Sequence, residues 1–474
     1  MESWVKQWLE EERSKGIKRL EIKYINSNYY VYSSTTFWDK KLKKRRKKSD
    51  YLGKLDPVNG LVKATKRSIS CTRITSIREY GNSALLDLVA CDLRELLERS
   101  FKDVWKEVYA LALVRTIGYT PLKRIQSLWE KLYDIHDLNP NLNPKNLSRI
   151  LKMVGLNRQS QGEIFRSLSE SNRDLIYDLS VILTNSSLNF AEYGYNKDKI
   201  YIPQVNLALF CSIDTGLPTM VRLIPGSVRD IKSLYNSLLE IDTTNKTLVI
   251  DRGFFSSDVI EFLLEKKMNF VLPARRSSDY YKAEVKLGGH FFYHKRLIKY
   301  GKVRLEDLFI YLFEDQDLSL EETKTIYRLL DKNKKNPQKL NQSLDKAGKI
   351  IILSNLDRSE DEIFQLYKSR DRIEKLFDSY KNILEADRLY LQDNDTVFGH
   401  IFVSFLSLFA YSKLEIMLKK ADIIDRYSPK DLLLEFSKIY MVKTDAGNII
   451  SDIPKKVERL EELLKLDLFP KNRS

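Results

Sequence analysis

At 474 residues the chain is too long for one ordinary hydrophobic core, so two or more compact units are expected. Apolar residues at 43% and charged residues at 31% exclude a disordered chain and an integral membrane protein. Eighty Lys and Arg against 65 Asp and Glu leave a formal charge of +15, which favours a polyanionic partner, nucleic acid before an anionic membrane surface.

Residues Met1 to Arg13 alternate Trp, Leu and charged side chains. No basic segment leads there into an apolar signal core, so the chain is expected to stay in the cytoplasm. Tyr24 to Trp38 is rich in alternating aromatic and β-branched residues, predicting a hairpin with its turn near Asn26 to Asn28. Directly after it, Lys40 to Lys48 holds only one uncharged residue, Leu42. This run is read as an arm facing phosphates, with Lys43, Lys44, Arg45 and Arg46 as DNA contacts, against the alternative of a solvated loop. Hairpin and arm form a first region, 1–66. From Ser76 to about Glu170 apolar residues recur every three or four positions, predicting a helical region over 67–170 with an expected role in DNA binding.

After Arg173 the pattern changes to short apolar strands: LIYDLSVILT, QVNLALFCSI and LPTMVRLIP, with Asp214-Thr215-Gly216 as a tight connection between the last two. A helix near Asp230, the strand TLVID, a helix capped by Ser256 or Ser257 and the strand NFVLPA follow. The order β-β-β-α-β-α-β predicts an α/β core of the ribonuclease H type over 171–276. Its last helix arrives only at Ser359 to Ala386. Residues 277–358 are therefore read as a β-rich insertion subdomain, 359–396 as the returning core helix and 397–474 as helical. The apolar run Ile401 to Ala410 is shorter than a bilayer span and is read as a buried helix. Cys71, Cys91 and Cys211 fit neither a disulfide framework nor a zinc cluster, and His290 and His294 lie on a strand-like segment without helical metal-ligand spacing.

Phosphodiester chemistry requires negative charge on the attacked phosphate to be stabilised and the nucleophile to be deprotonated, which two divalent cations held by clustered carboxylates achieve. Asp178 lies mid-strand among apolar residues, where a charge has no cheap structural explanation. Asp251 ends its strand, where open α/β sheets place their sites. On the late helix Tyr367, Arg370, Glu374 and Lys381 stand at offsets that a regular helix gathers within roughly a 60° arc. Ion pairing of Arg370 with Glu374 on a solvated helix face is the plain alternative. Asp174 is expected on the solvent side of its strand start, Asp230 and Asp258 at helix N-termini, and the five Trp mainly in packing.

The spacing Tyr-x2-Arg-x3-Glu-x6-Lys in YKSRDRIEKLFDSYK resembles the signature of DDE transposases of the insertion-sequence 4 superfamily, 1634-type group. VIDRGF around Asp251 and YDLSVI around Asp178 are similar to the family's two aspartate motifs, with Ser180 where Thr is usual, and GHIFVSFLSLFAYSKL is similar to the helix after the signature. The resemblance runs from about Leu175 to the end. It implies a catalytic and metal-binding triad of Asp178, Asp251 and Glu374 holding two Mg2+ ions, with Mn2+ able to substitute. It also implies DNA contacts from Tyr367, Arg370 and Lys381, cleavage at terminal inverted repeats, strand transfer into target double-stranded DNA, and a homodimer on DNA in a prokaryotic cytoplasm. A ribonuclease H-like nuclease without strand transfer, or a domesticated DNA-binding protein, would keep the same fold and charge.

Overall fold

The computed structural model describes residues 2–25, 28–39, 44–63, 73–194, 200–227, 231–238, 240–241, 246–331, 340–387, 389 and 391–469. The chain divides into two compact units, Met1–Arg73 and Ile74–Ser474.

In the first unit α1 (Ser3–Ser14) precedes a meander of β1 (Leu20–Ile25), β2 (Asn28–Asp39), β3 (Lys44–Asp56) and β4 (Gly60–Lys63), paired in that order. A small core of Val5, Tyr29, Val31 and Leu55 holds it, with Trp4 and Trp8 packed against it. The hairpin expected from Tyr24 to Trp38 is present as β1 and β2, with Ile25 opposite Asn28; turn residues 26–27 lie outside the described residues. The basic run was expected as an arm or a loop. From Lys44 onward it is instead a strand, because Thr35, Thr36, Phe37 and Trp38 offer β-prone partners across the ladder.

The second unit opens with β5 (Ile74–Glu79), followed by α2 (Tyr80–Ser100), α3 (Trp105–Ile117), α4 (Leu122–Trp129), α5 (Pro144–Leu156) and α6 (Arg158–Ser169). Then come β6 (Asp174–Leu183), β7 (Gln204–Ser212), β8 (Pro218–Pro225), α7 (Ile231–Leu238), β9 (Thr247–Ile250), α8 (Ser257–Glu265) and β10 (Asn269–Pro273). These elements follow the predicted order. Ser256 caps α8, its side chain accepting from the Val259 amide at 3.2 Å, while Asp230 lies outside the described residues. Pairing runs β10-β9-β6-β7-β8, with β9 parallel to both β6 and β10 and the β6-β7-β8 pairs antiparallel.

Residues 277–358 contribute β11 (Leu287–Tyr293), β12 (Arg296–Leu305), β13 (Leu308–Asp315), α9 (Gln316–Asp331), α10 (Leu340–Asp345) and β14 (Lys349–Ser354). Their strands do not form a sheet of their own. β14 pairs antiparallel with β10, so the insertion extends the core to a nine-stranded sheet, β11-β12-β13-β14-β10-β9-β6-β7-β8. β14 reads KIIILS and buries its last four residues, because it lies between β13 and β10.

The expected late helix is interrupted. α11 (Glu360–Lys368), which starts with a capping box at Ser359, gives way at Ser369-Arg370 to α12 (Asp371–Asp378) and then to a π turn over Ser379–Ile383. The Ser369 hydroxyl bonds back to the Leu366 carbonyl at 2.5 Å, competing with the helical ladder. The π turn adds a residue per turn and shifts the phase of everything after it.

Next come α13 (Asn394–Lys420), α14 (Pro429–Phe436), β15 (Tyr440–Thr444), β16 (Gly447–Ile450) and α15 (Lys455–Leu463). α13 is long and apolar enough to cross a bilayer by composition, but 78% of its most apolar window is buried in the protein. All of Ile401 to Ala410 is buried. Its crossing with α5 depends on two glycines: a Cβ at Gly399 would fall 1.9 Å from the Leu151 carbonyl oxygen, and one at Gly155 would fall 1.8 Å from that of Asp395. The last region is not wholly helical, since β15 and β16 form a hairpin that pairs with β5. The start of the expected helical region is likewise a strand, from Ile74 to Glu79.

Candidate active site

Two parallel strands position two acids. In the β6–β9 ladder Asp174 faces Thr247 and Tyr177 faces Ile250. Asp178 and Asp251 are the next residues of the two segments: Asp178 lies on β6, on the sheet face opposite to Tyr177, and Asp251 directly follows the end of β9. Tyr177 and Ile250 are buried, and Tyr177 packs on Phe254 with ring centroids 5.3 Å apart. β9 ends at Ile250, so β6 continues past its neighbour and Asp178 is only half-buried. The backbone turns at once after Asp251 into a short 3-10 turn, Arg252–Phe254, which Arg275 ties down through a 2.6 Å bond to the Gly253 carbonyl.

The third acid comes from α12. One guanidinium nitrogen of Arg370 donates to Glu374 Oε1 at 2.8 Å, and the other pairs with Asp251 Oδ1. Arg370 is mostly covered, its side chain 19% exposed, whereas that of Glu374 is 57% exposed. Asp251 and Glu374 therefore share one cation. The interrupted helix removes the single regular stripe that the spacing predicts, yet α12 still packs on β6 and β7 and delivers Arg370 and Glu374 to the end of β9.

Tyr367 lies within electrostatic reach of Glu374, and Lys381 reaches β6 further along. Burial raises the Tyr367 phenol above its ordinary value; Arg252 opposes the rise, while Tyr281, Asp371 and Glu374 add to it. Lys381 lies past the π turn, and its Nζ donates to the Val181 carbonyl at 2.6 Å. Val181 belongs to β6, three residues beyond Asp178. Lys44, Arg45 and Arg46 lie on β3 of the first unit, and Lys43 is outside the described residues.

Arg252 and Arg275 add cationic charge at the same strand ends. Arg252 directly follows the second aspartate in sequence, which was the available signal for it. Asp174 differs from its expected solvent position, being half-buried and 3.9 Å from Arg358. Its neighbour across the turn, Asp214, accepts from the Arg173 amide at 3.1 Å, as a turn residue does.

Hard divalent cations take clustered carboxylate oxygens, and Asp178, Asp251 and Glu374 supply that donor chemistry. Among the described residues no group of three or more His, Cys, Asp or Glu stands ready to hold a metal ion. Arg370 already occupies the space between Asp251 and Glu374 and offsets part of their charge.

Residues 170–410 match the family model described as the transposase DDE domain. No curated protein matches the chain. Among solved structures, the piggyBac transposase synaptic complex with hairpin DNA is similar at 11% identity and a TM-score of 0.39, over 70% of this chain and 70% of that one.

Proposed function

Because this chain belongs to the DDE transposases, enzymes that act on DNA, we propose that it moves its element by cut and paste. Water hydrolyses the phosphodiester at each transposon end, and the freed 3′ hydroxyl then attacks a phosphodiester of the target, releasing its former 3′ oxygen as the leaving group. The observation that supports this reading is that Asp178 and Asp251 follow the last pair of the parallel β6–β9 ladder, Asp251 just past the end of β9, while Arg370 pairs with both Asp251 and Glu374.

Asp178, Asp251 and Glu374 would hold two Mg2+ ions, with Mn2+ as a substitute. Bound there, the ions supply a lowered pKa for the attacking water or hydroxyl and charge stabilisation at the phosphate. The remaining steps belong to the chain. Arg370, released from its two carboxylates, contacts the phosphate beside the cut, and the half-buried Tyr367 orients the DNA end. Lys381 either joins the phosphate contacts or holds the helix to β6. The strand order 3-2-1-4-5 from β8 to β10 supports a ribonuclease H-like core, and the Tyr-Arg-Glu-Lys spacing supports membership of the insertion-sequence 4 superfamily. A homodimer on paired terminal repeats, working in a prokaryotic cytoplasm, completes the reading.

The test is incubation of the purified chain and Mg2+ with a duplex carrying the inverted repeat that flanks its gene, together with a supercoiled target. End cleavage with joined products supports cut and paste. Cleavage without joining would make the protein a nuclease, and binding without cleavage a domesticated DNA-binding protein.

A further inference from the structure

The first unit holds a surface that the catalytic site does not use. β1 pairs with β2 only as far as Ser33, and β4 pairs with β3 only from Gly53 onward. Among the described residues the backbones of 35–39 and 44–48 therefore pair only with each other, from Thr35 opposite Lys48 to Asp39 opposite Lys44. At about 3.4 Å per residue this is a two-stranded ribbon roughly 17 Å long. It projects beyond the sheet, and every residue from Lys44 to Tyr51 is exposed.

Both faces carry the same chemistry. Directly opposed residues of an antiparallel pair share a face, so Trp38, Arg45, Thr36 and Lys47 lie on one side and Phe37, Arg46, Thr35 and Lys48 on the other. Trp38 and Phe37 are 57% and 47% exposed. Within the ribbon Arg46 pairs with Asp39 at 3.3 Å; at its base Lys47 pairs with Glu21 at 2.6 Å and Lys48 approaches Asp50 at 3.8 Å. Five consecutive cations, Lys44 to Lys48, still outnumber these acids. Cations on an exposed strand also discourage edge-to-edge aggregation. That role does not account for large aromatics exposed on both faces, which would promote it.

We propose that this ribbon enters the major groove of duplex DNA with its Trp38–Arg45 face turned inward, Arg45 reaching base edges and Lys44, Arg46 and Lys48 contacting the flanking phosphates. The major groove, about 12 Å wide, admits a two-stranded β-ribbon, and arginine pairs bidentately with guanine O6 and N7. The charge complements the phosphate backbone, and Trp38, on the Arg45 face, provides apolar surface for thymine methyl groups. The proposal rests on the DNA transposition proposed above and adds to it where and how the first unit grips duplex DNA.

The full chain is tested by methylation interference on a short mixed-sequence duplex and on its single strand. Methylation of guanine N7, in the major groove, should weaken wild-type binding, and the double variant Arg45→Ala/Arg46→Ala should lose that sensitivity together with about tenfold in affinity. Arg45→Lys/Arg46→Lys keeps the charge, so it should keep phosphate binding and lose only the N7 sensitivity. These substitutions lie away from Val5, Tyr29, Val31 and Leu55, and circular dichroism of the Lys variant guards against misfolding. Interference at adenine N3, in the minor groove, overturns the proposal. So does single-strand binding as tight as duplex binding, or an Ala variant that binds like wild type. End cleavage by the wild type is scored separately: its absence removes the transposition reading, whereas cleavage with an unchanged Ala variant removes only the ribbon.

Discussion

Arg370 and Lys381 in the second unit each end on an oxygen of their own chain, the first on Asp251 and Glu374 and the second on the Val181 carbonyl. Lys44 to Lys48 in the first unit stand along the part of β3, Lys44 to Tyr51, that is exposed at every residue. The side chains are of the same type, yet their electrostatic roles differ. A cation held over carboxylates sets the charge of the site and competes with whatever else would bind there. Cations on an exposed ribbon act mainly on a distant polyanion and lose strength as salt rises. On the reading proposed above, positive charge in this protein divides into a part that conditions chemistry and a part that collects DNA.

Substitutions in the two places should fail in different ways. The largest effect is expected for Glu374→Gln, which should reduce single-turnover cleavage of an end duplex by at least about 10⁴-fold, the scale on which losing one member of a catalytic unit acts. End binding should remain near wild type. Undiminished cleavage would remove Glu374 from the active site. Arg370→Ala comes next. It should slow cleavage by about a hundredfold if the guanidinium stabilises phosphate charge, and calorimetric titration should show tighter Mn2+ binding, because two carboxylates lose their resident cation. Its melting temperature should fall only modestly, because the Asp251 and Glu374 side chains, 37% and 57% exposed, remain hydrated without it. Weaker Mn2+ binding would mean that Arg370 organises the carboxylates and does not compete for them. On the ribbon side, changing Lys43, Lys44, Arg45 and Arg46 together to Ala should flatten the salt dependence of DNA affinity, by a slope of about 0.9 for each phosphate that the protein no longer neutralises. An unchanged slope would reduce the run to a solvated surface.

The same contrast separates what could be read in the sequence from what could not. β6 to β10 declare themselves by apolar alternation and by turn residues such as Asp214-Thr215-Gly216, and α13 by its unbroken apolar run, because these signals are local. β5 is hidden, since among the described residues its strand partner is β15, Glu79 against Tyr440, 361 positions on (440 − 79). The ribbon is hidden too. Lysine and arginine favour no strand of their own, and the partner strand imposes the conformation on them. The acids at 178 and 251 can be singled out by their placement on apolar strands, but the bond from Arg370 to Asp251 joins residues 119 positions apart (370 − 251), and spacing along one helix cannot show it. The regular stripe over Tyr367 to Lys381 fails for a physical reason: a serine back-bond and a π turn intervene.

Lys381 offers the finest test of that division, because two roles predict different readouts. As a phosphate contact it would leave folding alone and slow cleavage. As a tether it binds the Val181 carbonyl at 2.6 Å, on the part of β6 that has outrun β9, and so holds the π turn against the strand that carries Asp178. The side chain is half-buried, so the bond should contribute about 1 kcal/mol, in the range for charged donors after solvent screening. Lys381→Met keeps the aliphatic stem and removes the donor. The tether predicts a lower melting point, a modest loss of cleavage that grows as temperature approaches that melting point, and no change in the salt dependence of DNA binding. An unchanged melting point with slower cleavage and a salt slope reduced by about 0.9 would instead place Lys381 with the outward cations, bound to a DNA phosphate.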